Sequence, residues 1–462
     1  MNQPQGTALG QLARWLSSVD TTHSQKAQTR AHHCFIDTIA CLLAGYDQPA
    51  AFAVRRFVAE RGDGEATIVG GGKSDPLWAA LCNGTSAHAQ DFDDYDSASV
   101  AHVGAVLVPC ILALAERQHS SGAAALDALI VGYEVMVRVG EAVNMGHYLR
   151  GWHATGTLGT LGAAASAARL LSLDETQSAH ALSLASSMAS GFKYQFGTMA
   201  KPLHAGLAAK SGLLAAGLAK SGITSSDQIF EGSQGLLAIW RGDGDSDHAH
   251  RLTMDHSALA IERYGLYIKR YPCCGYISRA IDAIIALREQ HRFNAKDIDS
   301  IQVLIPEPNL HVLPFAAPID PMQARFSMHY CAAVAAATGR LGLADFTSDA
   351  LRREPITTLQ TRVTLSGYAV AANARDCSPE DPDSVAIYLS DGTHLRHVVA
   401  EAAGSPGAPL SAHALREKFL DCGRPHLPER VIETLWHDLN HMHALPNAGA
   451  LLQAMRCIAP PL

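Results

Sequence analysis

Gly156-Thr157-Leu158-Gly159-Thr160-Leu161-Gly162-Ala163-Ala164-Ala165-Ser166-Ala167-Ala168 is the stretch on which the fold turns. Gly156, Gly159, Gly162, Ala165 and Ala168 recur at every third residue, so on a helix they form one stripe of very small side chains. Each glycine costs a helix about 1 kcal/mol relative to alanine. Only a neighbour lying very close against the stripe offsets that cost. The stretch therefore predicts a central helix of a tightly packed α-domain, not a membrane helix.

The same grammar extends outward. Phe35, Ile36, Ile39, Leu42 and Leu43 recur at helical spacing and Gly45 stops that helix. Residues 104–117 and 124–143 are further apolar runs punctuated by Gly or Pro. Residues 1–258 read as helix after helix, an all-helical first domain. From 259 the pattern changes. Ile301 to Ile305 reads as a strand ended by Pro306, and Leu359 to Ser366 alternates like a second. Val385–Leu389 and Leu395–Ala400 flank an Asp391-Gly392 turn, a hairpin signal. Helices are expected near 278–291 and 327–340. Residues 259–403 thus read as a smaller α+β domain, and Gly404 to Pro409 as a linker. Residues 404–462 return to helical periodicity and are expected to dock on the first domain. The predicted class is mainly α, with a large helical domain built from both chain ends.

Composition narrows the function. The chain has 462 residues, 48% apolar and 17% charged, a globular balance with room for two or three domains. A net charge of −8 argues against a nucleic-acid partner. It leaves open an anionic small molecule, because a local cationic cluster can reverse the sign inside a cleft. No apolar run approaches the ~18 residues of a membrane span, and Met1 to Gly10 lacks a signal-peptide pattern. The ten cysteines are scattered with no Cys-x-x-Cys pair, which disfavours structural zinc and suits a reducing cytoplasm. Gly70-Gly71-Gly72-Lys73-Ser74 fails as a phosphate loop, because Thr67 stands where the motif needs glycine. Neither a nucleophile elbow nor a dinucleotide fingerprint is found.

Five clusters carry candidate chemistry. Lys201-Pro202-Leu203-His204-Ala205-Gly206 places a cation at the start of a helix, where exposed N–H groups favour a carboxylate. Asp91-Phe92-Asp93-Asp94-Tyr95-Asp96 is followed by His102. A carboxylate there can orient His102 as an acid–base group. Asp94 and Asp96 read as a solvated acidic loop, and no calcium-loop register follows. His147 reads as a buried, hydrogen-bonded histidine. His153, at the N-terminus of the glycine-striped helix, reads as a neutral base. Lys269 and Arg270 precede Pro272-Cys273-Cys274, and Arg325 to Tyr330 forms the last cluster.

Taken in order, these stretches resemble the MmgE/PrpD family of 2-methylcitrate dehydratases and cis-aconitate decarboxylases. The matching motifs are Asn83-Gly84 through Asp94, His102-Val103-Gly104-Ala105, Gly151-Trp152-His153 through Gly162, Gly197 through Gly206, Tyr271-Pro272-Cys273-Cys274 and Phe326-Ser327-Met328-His329-Tyr330. The resemblance implies a homodimer with a helical domain and an α+β lid, working without cofactor or metal on a small di- or tricarboxylate. It assigns catalysis to Asp91, His102, His153, Lys201 and Tyr330, and substrate binding to His204, Lys269 and Cys274. The decarboxylase carries a histidine where this chain has Cys274, and many members carry Thr-His at Ile277-Ser278. The expectation is therefore a hydro-lyase of a hydroxy-polycarboxylate. The alternatives are an epimerase of an imino- or hydroxy-dicarboxylate, a decarboxylase, or a carboxylate-binding helical dimer without turnover.

Overall fold

The computed structural model describes residues 6–242, 252, 258–371, 378 and 380–458. The chain is mainly helical with a minor share of β-structure. Seven long helices carry the argument. They are α1 (Gln25–Gly45), α2 (Pro76–His88), α3 (Gly104–Gln118), α4 (Gly122–Val143), α5 (Ala154–Leu170), α6 (Ala200–Lys220) and α7 (Ala412–Gly423). Side-chain oxygens of Ser24, Asp75, Ser121 and Ser411 cap four of them at the start.

The glycine stripe does what its spacing predicts. α5 is buried from Ala154 to Ala168. A Cβ on Gly156 would meet the Ser190 carbonyl oxygen at 2.2 Å, and one on Gly162 the Gly132 carbonyl oxygen at 3.1 Å. The helix thus lies backbone to backbone against its neighbours, with α4 and α6 packed directly on it. The first 258 residues also contain a small hairpin, β1 (Ala66–Ile68) and β2 (Gly72–Ser74). The would-be phosphate loop is its turn, with Gly70 and Gly72 at φ 68° and 83°.

Two separate hydrophobic clusters form. The larger gathers apolar residues from Ala8 through Ile268 and then from Leu415 to Ile458. The smaller runs from Tyr271 to Leu395. In the smaller one β3 (Ile298–Pro306), β4 (Val363–Tyr368), β5 (Asp383–Leu389) and β6 (His394–Val399) form a sheet in the order β4-β3-β5-β6. β3 and β4 are parallel, with Ile301 opposite Val363; the other two pairings are antiparallel. Two helices, Ser278–His291 and Met328–Thr338, cover the face that buries Ile301, Val303, Val385 and Ile387.

Three local expectations are corrected. Leu359 does not open a strand. Ile356–Gln360 is a short helix that buries Ile356 and Leu359, one turn apart, and the strand starts only at Val363. Gly404 to Pro409 is not a loose linker, because Ile268 N–H donates to the Gly404 carbonyl at 2.9 Å and Ser405 is buried. Asp94 and Asp96 are not solvated, since both are fully buried. Asp94 accepts the Gly104 N–H at the start of α3, and Asp96 accepts the Tyr133 hydroxyl. Burial, then Asp37, pushes the Asp94 carboxyl well above its ordinary range. Cys34, Cys41, Cys82, Cys110, Cys273, Cys274, Cys331 and Cys422 are unpaired and buried. Cys377 lies outside the described residues.

Candidate active site

The site begins with a crossing of two helices. α2 and α6 touch at Gly84 and Gly206. A Cβ on Gly84 would sit 2.9 Å from the Gly206 Cα, and one on Gly206 2.2 Å from the Leu81 carbonyl oxygen. One turn on from Gly84 stands His88, the last residue of α2. Five residues back from Gly206 stands Lys201, in the first turn of α6. Close approach of backbones without side chains thus brings an imidazole and an ammonium together, with Lys201 Nζ 2.9 Å from His88 Nε2.

After α2 the chain turns sharply. Asp91 adopts φ 50°, a left-handed conformation that aspartate tolerates better than most residues. Its carboxylate accepts from Lys201 at 2.5 Å and lies 3.2 Å from Lys269 Nζ. Lys269 also donates to the Asp91 carbonyl at 2.7 Å. The loop is held from behind by a helix of the C-terminal segment. Lys418 of α7 donates to the carbonyls of Phe92 and Lys269 and pairs with buried Asp37. Asp37 in turn accepts the Asp94 N–H. The tail of the chain therefore fixes the backbone that presents Asp91 and Lys269.

Asp93 orients two imidazoles. His88 Nδ1 lies 2.9 Å from both Asp93 oxygens, and His102 Nδ1 lies 3.0 Å from Oδ2, at an angle too bent for a straight N–H bond. Burial pushes the His88 pKa down to about 3, against the pull of Asp93. A neutral His88 that donates from Nδ1 to Asp93 must accept at Nε2, which is where Lys201 points. One tautomer satisfies both bonds. Burial also lowers the His102 pKa, and Asp93 only partly restores it. With its Nδ1 proton toward Asp93, His102 carries a lone pair on Nε2, 3.8 Å from Asp91 Oδ1. Burial works against the charge of Asp91 as well. Lys201 and Lys269 outweigh it and hold that carboxyl below its ordinary range. Lys269 shows the converse, since burial opposes its charge and Asp91 more than restores it.

His153 occupies the position just before α5, and its Nδ1 is 2.9 Å from His204 Nδ1. Burial and then Lys201 hold His153 well below the usual histidine range, so it is neutral. Val100, a β-branched residue at φ 53°, sits two residues before His102. Such a conformation costs of order 1–3 kcal/mol and persists only where the surroundings impose it.

These groups open on one cleft of about 480 Å³, its mouth included. Asp91, His102, His153 and Lys201 line it from the helical part, and Lys269 and Cys274 from the start of the second cluster. Burial pushes the Cys274 thiol up to about 12, so it is a neutral wall group. His204 stands behind His153 and does not line the cleft, so its expected contact with substrate becomes a bond to a cleft histidine. Tyr330 is not brought to the site. It is fully buried in the second cluster and its hydroxyl donates to the Asp345 carbonyl. The phenols on the cleft wall are Tyr95, Tyr148 and Tyr276. Sequence reasoning also missed His88 and Asp93. Their signal was spacing, since His88 ends a helix three and five residues before Asp91 and Asp93.

His88, Asp91, Asp93 and His102 offer ligand atoms within 4.8 Å of one another, a set that could hold a divalent cation. Two ammonium groups already sit on Asp91, and a cation there would meet both. The arrangement fits charge compensation by lysine.

Comparison with known proteins places the chain. Residues 10–248 match the MmgE/PrpD N-terminal domain and residues 271–440 the MmgE/PrpD C-terminal domain. The chain belongs to the MmgE/PrpD family. Among its relatives, the cis-aconitate decarboxylase of Aspergillus terreus is 27% identical over 470 residues, covering 97% of this chain and 95% of that protein. A cis-aconitate decarboxylase-like protein of Aspergillus oryzae, oryM, is 27% identical over 444 residues, covering 90% of each. The cis-aconitate decarboxylase of Mus musculus is 28% identical over 399 residues, covering 82% of this chain and 78% of that one. This MmgE/PrpD chain shares the two-part family layout along its length. No helix among its described residues is long and apolar enough to cross a membrane.

Proposed function

We propose that this chain is a lyase of a small hydroxy acid, working by proton transfer at a carbon next to a carboxylate. The carrying observation is His102, a neutral imidazole oriented by Asp93 on the edge of a cleft that also holds the ammonium groups of Lys201 and Lys269. In this reading the lysines grip a substrate carboxylate and stabilise the negative charge that builds there as the α-proton leaves. His102 Nε2 takes the proton. The C–H pair becomes the new double bond, and the hydroxyl leaves as water with the proton that His102 took up. The smaller cluster acts as a lid that limits water, and every role is filled by a side chain.

A second reading, decarboxylation, is favoured by the activity for which the relatives are named. Its carbon–carbon bond breaks toward the same lysine-held carboxylate, and the product carbon takes a proton. Proton NMR in D2O with a panel of hydroxy and unsaturated acids separates the readings. A hydroxy acid that yields a vinyl signal without carbon dioxide supports dehydration. Carbon dioxide release from an unsaturated acid moves the assignment to decarboxylation. Deuterium entry at an α-carbon with no net loss makes the chain an isomerase. Silence across the panel removes the enzyme reading and leaves a carboxylate-binding protein.

A further inference from the structure

The two cleft histidines differ in what stands behind them. Behind His102 stands Asp93, a carboxylate that only accepts, so the His102 proton belongs on Nδ1 and the Nε2 lone pair is left for the cleft. Behind His153 stands His204. Their Nδ1 atoms are 2.9 Å apart, and among the described residues each ring has the other as its hydrogen-bond partner. Burial, with Lys201 next, lowers the pKa of both rings, so both are neutral. Two neutral imidazoles that meet at Nδ1 share one proton there. Where His153 donates it, the His153 Nε2 lone pair is left for the cleft. Where His204 donates it, His153 carries its own proton on Nε2. His204 is partly exposed, so water serves its Nε2 in either arrangement.

The fold holds this pair in place. The His153 N–H donates to the Gly191 carbonyl at 3.0 Å. A Cβ on Gly191 would lie 3.3 Å from His204 Nδ1 and 3.5 Å from the His153 Cβ, so the missing side chain gives the pair its room. The Phe196 ring meets His153 edge-on with centroids 4.9 Å apart, and His88 stacks on it at 6.0 Å. With Nδ1 turned to His204, Nε2 is the nitrogen left for the cleft that His153 lines.

Resting on the reading above that the ligand is an acid, we infer that His204 is a positioning residue that donates to His153 Nδ1 and so makes His153 an Nε2–H donor to a ligand oxygen. A lone pair at that place would repel the oxygens of an anion, and an N–H binds them. The site then uses its two histidines in opposite tautomers, His102 as the base and His153 as the donor. Asparagine and aspartate at position 204 share one shape and differ in whether they donate. Nitrogen NMR of the full-length protein carrying labelled histidine reads the tautomer, with the His153 signals identified by their loss in His153→Gln. With malate or citrate added at mildly alkaline pH, His153 is expected to be protonated on Nε2 and bare on Nδ1. His204→Asn is expected to keep that pattern, and His204→Asp to move the proton to Nδ1. Turnover of the acid that reacts is expected to fall about 10²–10³-fold further in His204→Asp than in His204→Asn, the scale of one lost donor. Any other placement of the His153 proton in the unmodified protein, no response of its signals to either acid, or equal measurable turnover in the two variants overturns the inference. The expected tautomers without turnover of any acid in the panel keep the inference and remove the lyase reading.

Discussion

The cleft has two walls of opposite character. The helical wall holds Asp91, Asp93, His88, His102, His153 and Lys201, with Asp93, His88, Lys201 and Asp91 joined in one chain of bonds and His153 bonded to His204. The facing wall, from the second cluster, offers Cys274, Val312 and Phe326 with few polar groups. Lys269 sits at the junction and is tied to the first wall through Asp91. The contrast separates two tasks. Chemistry needs groups held to within fractions of an ångström, and two helices crossing at glycines provide that rigidity. Selection needs shape and desolvation, which an apolar surface supplies and can change without disturbing the net.

The contrast can be broken most severely at His102. In the proposed role, His102→Gln removes the base while keeping a polar side chain, and kcat/KM is expected to fall about 10²–10⁴-fold. A loss under tenfold would move the proton transfer elsewhere. Next comes Lys201→Met, expected to cost about 10²–10³-fold in turnover. It also leaves Asp91 with Lys269 as its remaining ammonium partner. A thermal melt should therefore show lower stability, because a buried charge that loses a partner is destabilising. Unchanged activity there would break the assignment of Lys201 to the site.

Acid provides a milder test. The buried His88 has its folded pKa pushed down to about 3, below the ordinary unfolded value near 6.5. Between those values the unfolded chain binds a proton that the folded one refuses, so stability rises with pH across that window. It should fall progressively as pH drops from about 6.5 toward 3. Denaturant titrations at several pH values check this, and replacing His88 with Gln should flatten the dependence. Activity should follow the lowered pKa of His102 in the same sense, holding below pH 6.5 and failing at more acidic pH. The smallest effect is expected from Tyr330→Phe. It loses one buried hydroxyl bond to Asp345, worth about 1 kcal/mol of stability, and leaves kcat/KM nearly unchanged. A large loss of turnover would place Tyr330 in the chemistry after all.

How much was legible differs between the walls for the same reason. Lys201, His102 and His153 stand at helix starts or just before them, and helix starts are marked in sequence by proline, glycine and small polar residues. Asp91 was visible because it begins an acidic run. The run itself misled, because local sequence does not tell a solvated carboxylate from a buried one. Asp94 and Asp96 owe their burial to Gly104 and Tyr133, which lie outside the run. Asp93 was passed over for the same reason. Tyr330 follows a family-like motif at the start of a helix, yet the rotation of that helix directs its hydroxyl into the second cluster.

The amino-acid sequence by itself determined the helical class, the glycine stripe, the change to strands near residue 300 and the hairpin at Asp391-Gly392, because backbone propensity and hydrophobic period are local properties. It also determined which residue types were available for acid–base work and for gripping an anion. Tertiary structure alone decided that His88 meets Lys201 across 113 residues, and that Lys418 from the far end of the chain holds the carbonyls behind Asp91. Tertiary structure also decided that Tyr330 faces inward. Those outcomes depend on which helices touch and at what rotation. Packing of distant surfaces sets both, and no short window of sequence contains that information.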